Sequence, residues 1–155
     1  MMHKILVSAC LYGWNCRYDA LSIPCQNPLF LKWKKEGRLI PVCPEVAGGL
    51  PTPRTDAQRQ GNYVLTRAGI DVTNEYERGA IKALHLARKN HVLFAIMKEK
   101  SPSCGSHLIY DGTFTGTKIQ GLGKAAQLLK EAHFSIFNEE QIDEANQFLK
   151  KMEDS

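Results

Sequence analysis

Three cysteines sit where this chain could do chemistry. Cys10 follows Ile5-Leu6-Val7-Ser8-Ala9, which reads as a short buried strand, and Cys43 follows Leu39-Ile40-Pro41-Val42. Cys104 lies in the polar loop Lys98 to His107, behind the apolar run Val92 to Met97. A buried free thiol is ordinarily just a small hydrophobe. A cysteine in a short loop with a proline, a glycine and three serines fills no core, however. In open parallel sheets, ligands bind beyond the carboxyl ends of the strands, so residues distant in sequence converge in one crevice. Three cysteines in that same position point to a shared task.

Zinc in a structural site takes four N or S ligands, often from Cys-x-x-Cys knuckles, and no such pair occurs here. His107 could supply a fourth ligand, although a lone histidine near a turn more often serves as a surface residue. An iron–sulfur cluster ordinarily takes four thiolates. With three, one iron keeps an open position and becomes a Lewis acid toward a bound atom. Soft iron favours sulfur, so a thio-substrate is a natural guest.

The elements that must position these cysteines read as an α/β fold, a three-layer sandwich around a mostly parallel, Rossmann-like sheet. Strands are expected at 5–9, 39–42, 92–97 and 134–137, with Pro41 marking an early or edge position. A helix from Leu29 to Glu36 follows Asn27-Pro28 and stops at Gly37. The clearest helix runs from Asn74 to Lys89, with Thr73 as its N-cap and Tyr76, Ala80, Ala83, Leu84 and Ala87 on one face. Leu108 to Phe114 reads as a hairpin about Asp111-Gly112. Gly121-Leu122-Gly123 opens a helix through Ala132 whose amides could meet an anion or cluster sulfides. Asn138 is expected to cap a last helix. Residues 44–72, rich in Gly, Pro, Arg and Thr, form a long irregular segment with a small strand near Tyr63-Val64-Leu65. Segments of that kind are usually functional or disordered.

Residues 1–155 suit a single domain, with 43% hydrophobic and 23% charged residues. The formal charge of +4 is spread without a basic stripe, which disfavours duplex DNA and extended RNA as partners. No apolar stretch approaches the roughly 18–20 residues that span a bilayer. The first residues resemble a signal peptide only briefly before Asn15, Cys16, Arg17 and Asp19 interrupt them, so a cytoplasmic protein is expected. There, five cysteines favour metal or thiol chemistry over disulfides. Oligomeric state is not legible.

Five stretches carry a resemblance: SACLYGWNCRYDA (8–20), CPEVAGGLPTPR (43–54), GIDVTNEYERGA (69–80), KSPSCGS (100–106) and YDGTFTGTKIQGLG (110–123). In this order they resemble the thiouracil desulfidase family over residues 3 to about 137. The resemblance implies a [4Fe–4S] cluster held by three cysteines. Its unique iron would capture the sulfur of a thiolated base, turning C=S into C=O without redox change and releasing sulfide. On this chain it implies Cys10, Cys43 and Cys104 as ligands. Cys16 is the rival, ranked behind them because it sits several residues out in a loop. Cys25 falls outside the matched stretches.

The same resemblance implies Glu45 as acid and base, a role that water attack on a thiocarbonyl requires. It implies Ser101 as the hydroxyl that orients substrate or relays a proton, with Ser103 as the close alternative. Arg17 could neutralise cluster charge and Asp19 could fix it or bind a base edge, or the two could form a structural ion pair. Tyr12 and Trp14 could stack on a pyrimidine. Ala20 stands where the family's pattern has glycine, which puts the local turn in question. The competing reading is a non-catalytic zinc or iron–sulfur module in sulfur or RNA-thiolation metabolism. A third is an RNA-modifying or RNA-binding protein that recognises thiolated nucleotides.

Overall fold

A computed structural model describes residues 2–154. The chain begins with β1 (Ile5–Ser8), α1 (Ala9–Tyr12), α2 (Pro28–Lys35), β2 (Leu39–Val42) and α3 (Pro44–Ala47). A hairpin of β3 (Ala57–Gln60) and β4 (Tyr63–Thr66) precedes the long α4 (Thr73–Lys89) and β5 (Phe94–Met97). A second hairpin, β6 (Leu108–Tyr110) and β7 (Lys118–Gln120), leads to α5 (Lys124–Glu131), β8 (Ser135–Asn138) and α6 (Ile142–Glu153).

The central sheet has the order β2-β1-β5-β8 and is parallel throughout. A parallel sheet is covered on both faces, so its inner strands read as continuous apolar runs, as β1 and β5 do with every residue buried. Side chains alternate between two cores. Ile5, Val7, Phe94 and Ile96 pack against Phe30 and Trp33 of α2 and Ile142, Ala145 and Leu149 of α6. Leu6, Ala95 and Met97 pack on Ala80, Ala83 and Ala87 of α4 and Ala125 and Leu129 of α5. The expected three-layer α/β sandwich is therefore present. β2 is an edge strand, where Pro41 costs no ladder hydrogen bond that the sheet needs. Gly48 ends α3 against α4, where a Cβ would lie 1.9 Å from the Glu75 carbonyl oxygen.

Three local expectations are corrected. Thr73 is the first residue of α4 rather than its cap: its amide donates to Asp71 Oδ1, and its hydroxyl accepts from the Val64 amide. Leu108–Tyr110 pairs with Lys118–Gln120, not with residues directly after Asp111-Gly112. Gly112 instead donates its amide to Gln58 and accepts from the Gln60 side chain, which holds the loop against β3. Asn138 ends β8 and does not cap α6, which starts at Ile142. Its amide nitrogen donates to Glu99 Oε2 at 2.7 Å.

Candidate active site

Adjacent strands β2, β1 and β5 point their carboxyl ends the same way, and the chain leaves each one into a cysteine-bearing turn. Cys10 lies in the short helix α1 directly after β1, and Cys43 caps α3 directly after β2. Cys104 lies in the turn after β5. All three line one cavity of about 540 Å³, and so does Cys16. Cys10, Cys16 and Cys104 are buried and Cys43 is half-buried; contrary to the expectation from its polar loop, Cys104 also packs into the core beneath α4 and α5. The strand-end position of the first three was legible in the sequence. The burial of Cys16 beside them was not, because the loop that carries it folds back over the cavity.

The thiols perturb one another. Burial pushes Cys104 up to about 12, and burial followed by the nearby Cys43 pushes Cys10 up to about 11. A hydrogen bond between the Cys16 and Cys43 side chains holds Cys43 below the ordinary thiol range and Cys16 well above it. Such thiols ionise together only when a cationic group joins them. Among the described residues, no three His, Cys, Asp or Glu side chains are gathered tightly enough to hold a metal ion. Thiols spread around one cavity suit a polynuclear iron–sulfur group, with its separated corners, better than one tetrahedral zinc. The donor set thus fits the cluster that the family resemblance implies.

Beside the thiols stands Glu45, in the first turn of α3. Its Oε1 accepts from Tyr76 Oη at 2.8 Å and from Arg54 Nη2 and Nε at 3.0 and 3.2 Å. Among the described residues, its Oε2 accepts only from Ser103 Oγ, at 3.1 Å. One carboxylate oxygen is therefore saturated by the scaffold, while the other faces the serines. Ser103 Oγ lies 3.1 Å from Ser101 Oγ and 3.5 Å from Cys104 Sγ. Ser101 Oγ accepts the amides of Ser103 and Cys104, both at 3.1 Å, which leaves its own proton to donate. Ser103 thus bridges Ser101 and Glu45 by hydrogen bonds.

Arg54 and Tyr76 were not singled out from the sequence as site residues. Arg54 is nearly enclosed, and its Nη2 also donates to the Cys16 carbonyl at 3.0 Å. Burial works against its charge, but the contact with Glu45 more than offsets this and raises its affinity for the proton. Tyr76 is buried on α4, and burial and the Glu45 charge push its hydroxyl well above the tyrosine range, so it stays a neutral donor. Arg54 closes the motif that starts at Cys43, which was the available signal.

The Cys104 turn hangs on another carboxylate. Glu99 Oε1 accepts the amides of Ser106, His107 and Leu108 at 2.8, 3.0 and 3.1 Å, while Oε2 takes Asn138. Burial alone would raise its pKa, but the His107 amide, the Asn138 side chain and the Leu108 and Ser106 amides outweigh it and hold Glu99 down at about 2. The turn also fills the start of α5, whose Lys124, Ala125 and Ala126 amides donate to the Pro102 and Ser103 carbonyls. Those amides are therefore satisfied by the Cys104 turn and not offered to an anion, contrary to the sequence expectation. A Cβ on Gly123 would lie 2.4 Å from the Ser103 carbonyl carbon, so only glycine permits this docking.

Because the Glu99 carboxyl ionises at lower pH in the folded chain than in the unfolded one, its stabilisation is complete above the ordinary carboxylate range. It is lost as pH falls toward about 2. Glu99→Gln is expected to cost about 1–3 kcal/mol at neutral pH. The gap to wild type should close between roughly pH 4 and pH 2. Denaturant unfolding of both proteins across that range checks this, and a gap independent of pH would contradict it.

The other expected site residues divide between the cavity and its surroundings. Arg17 lines the cavity, but Asp19 does not. The two form a loose pair at 3.6 Å, and Asp19 Oδ1 accepts the Leu21 amide, a turn-holding role. Ala20 adopts φ 63°, the left-handed region in which glycine is at ease. Tyr12 and Trp14 lie outside the cavity lining, edge to face at 6.4 Å, with Lys34 Nζ 4.4 Å over Tyr12. Tyr12 ends α1 and packs against the core, whereas Trp14 is exposed, so neither ring faces the cavity. His107 is mostly exposed, with Nδ1 near Glu99 and Ser106, and is no fourth ligand. Cys25 packs against the core.

A protein-family model described as 2-thiouracil desulfurase matches residues 5–141. The chain is 39% identical over 150 residues to the uncharacterized protein YbbK of Bacillus subtilis (strain 168), covering 90% of this chain and 98% of that one. The solved structure of the [4Fe-4S]-dependent thiouracil desulfidase TudS superposes with a TM-score of 0.94 at 46% identity, covering 96% of this chain and 99% of that one. By motif, by sequence and by fold, this chain belongs to the 2-thiouracil desulfurase family.

Proposed function

We propose that this protein is a thiouracil desulfidase that replaces the C=S of a thiolated pyrimidine by C=O, using a [4Fe–4S] cluster held by Cys10, Cys43 and Cys104. The observation that carries this reading is the meeting, in one cavity, of three strand-end thiols and a carboxylate wired through one serine to another. A purely structural cluster would have no use for that carboxylate. When bound, the cluster supplies a thiophilic iron with a vacant position toward the substrate sulfur.

The reaction consumes water and releases hydrogen sulfide: a C–O bond forms, the C–S bond breaks, and no electrons are gained or lost overall. The chain's own residues manage the protons. Glu45 Oε2, the carboxylate oxygen not saturated by Arg54 and Tyr76, takes a proton as the oxygen nucleophile adds. Ser103 carries hydrogen-bond continuity from Ser101 to that oxygen, so Ser101 can orient the incoming group and pass on its proton. The proton held on Glu45 then returns to the departing side of the substrate. Arg54 and Tyr76 fix the carboxylate, while Arg17 adds positive charge near the Cys10 thiol.

The same proposal makes the protein a single functional unit that works in a reducing compartment such as the cytoplasm. All five cysteines are free thiols, which suits such a setting. Among the described residues, no helix is long and apolar enough to cross a membrane. The test is anaerobic incubation of cluster-loaded protein with 2- and 4-thiouracil, measuring sulfide and uracil together. Equal amounts of both are expected. Cluster-loaded protein that releases neither would overturn the reading.

A further inference from the structure

Phe114 is held in a backbone conformation that a bulky side chain avoids. Its φ is 58°, in the left-handed region where phenylalanine is an outlier and glycine is at ease. The surroundings enforce this. Gln58, a buried residue of β3, accepts the amides of Gly112 and Phe114 with one oxygen at 3.0 and 3.1 Å. Gln60 donates to the Gly112 carbonyl at 2.7 Å, and Asp111 Oδ1 accepts both the amide and the hydroxyl of Thr113. Strain that is so fully over-determined is characteristic of functional sites, and here it fixes one aromatic ring in the cavity wall.

That ring is also braced. The Arg67 guanidinium stands 4.7 Å from its centroid and is itself held by Asp56, with Nη2 to Oδ2 at 2.9 Å. The two hairpins of the chain thus meet at the cavity through Arg67 and Phe114. The thiols, Glu45 and the serines line the same cavity, as do the rings of Tyr18, Tyr76 and Tyr110; Tyr76 is committed to Glu45 through its hydroxyl, and Phe114 stands apart as the ring pinned by a strained backbone. A planar base whose thiocarbonyl faces the thiols needs its π-face supported from the wall.

We infer that Phe114 is a specificity-determining residue, the platform on which the pyrimidine ring of the substrate stacks while its C=S faces the thiols. This inference rests on the desulfidase reading above. It assigns to Phe114 the role that the sequence suggested for Tyr12 and Trp14.

Phe114→Gly separates the ring from the loop, because glycine adopts φ 58° freely and relieves the strain. In the cluster-loaded protein, KM for 4-thiouracil is expected to rise roughly 5- to 150-fold, the span of one lost base–aromatic stack. kcat should stay within about threefold and Tm should be unchanged or higher. Phe114→Tyr keeps the π-face and should stay within about threefold of wild-type KM, whereas Phe114→Leu should resemble the glycine variant. Wild-type KM in Phe114→Gly, or a fall in kcat at unchanged KM, overturns the stacking role while leaving the desulfidase reading intact. Failure of wild-type protein to release sulfide overturns the desulfidase reading itself and the stack with it.

Discussion

Glu45→Gln is expected to keep its iron and lose kcat by roughly 10²- to 10⁴-fold, the usual contribution of a positioned acid–base group. The substitution preserves shape. A Gln carbonyl oxygen in place of Oε1 can still accept from Tyr76 and Arg54. At the other position an amide NH₂ replaces Oε2, and it donates where the carboxylate accepted from Ser103. Ser103 must then accept from residue 45, so no proton acceptor remains at the end of the serine pair. Arg54 keeps the Cys16 and Pro51 carbonyls and the Thr52 hydroxyl but loses its counter-charge in a nearly enclosed position. A stability loss of about 1–3 kcal/mol is therefore expected beside the loss of turnover. Steady-state kinetics with iron and sulfide determination decides between the roles. Activity within tenfold of wild type would remove Glu45 from the proton path, and loss of iron would make it a structural support.

The residues legible from sequence were those whose position is fixed by strongly patterned local structure. β1 and β5 are continuous apolar runs because both faces of a parallel sheet are covered. Cys10, Cys43 and Cys104 could be placed because they directly follow such runs or lie in the turn behind one. The lateral arrangement was hidden. Glu45 meets Tyr76 across 31 positions and Ser103 across 58, contacts that no local period reports. Tyr76 falls on the core face of α4, as its spacing indicates, but its hydroxyl reaches the site as well. Arg54, in a Pro- and Thr-rich stretch, looks like a solvated surface cation until the fold encloses it. Tyr12 and Trp14 show the converse: nearness in sequence to Cys16 does not say that Tyr12 packs on the core at the end of α1 or that Trp14 turns to solvent. The α5 amides were not open to an anion because the Pro102 and Ser103 carbonyls of the Cys104 turn, distant in sequence, satisfy them.

Replacing Cys10, Cys43 or Cys104 with alanine is expected to leave cluster-loaded protein at near-zero iron and acid-labile sulfide and without measurable turnover, because two thiolates anchor a cubane poorly. Cys16→Ala should retain most of its iron. The difference follows from what positions each thiol. The first three are fixed by three adjacent strands of the central sheet, whereas Cys16 belongs to the loop between α1 and α2. That loop is secured at Cys16 through the backbone: Arg54 Nη2 and Cys43 Sγ both contact the Cys16 carbonyl oxygen, at 3.0 and 3.6 Å. An alanine there leaves both contacts in place and removes only the thiol that bonds the Cys43 side chain. Its effect should therefore appear as a modest change in the cluster's visible spectrum and redox potential, since hydrogen bonds to ligand sulfur tune both. Iron content after anaerobic reconstitution ranks the four thiols directly. If Cys16→Ala empties the site while one of the other three variants keeps its iron, the ligand set must be redrawn around the loop.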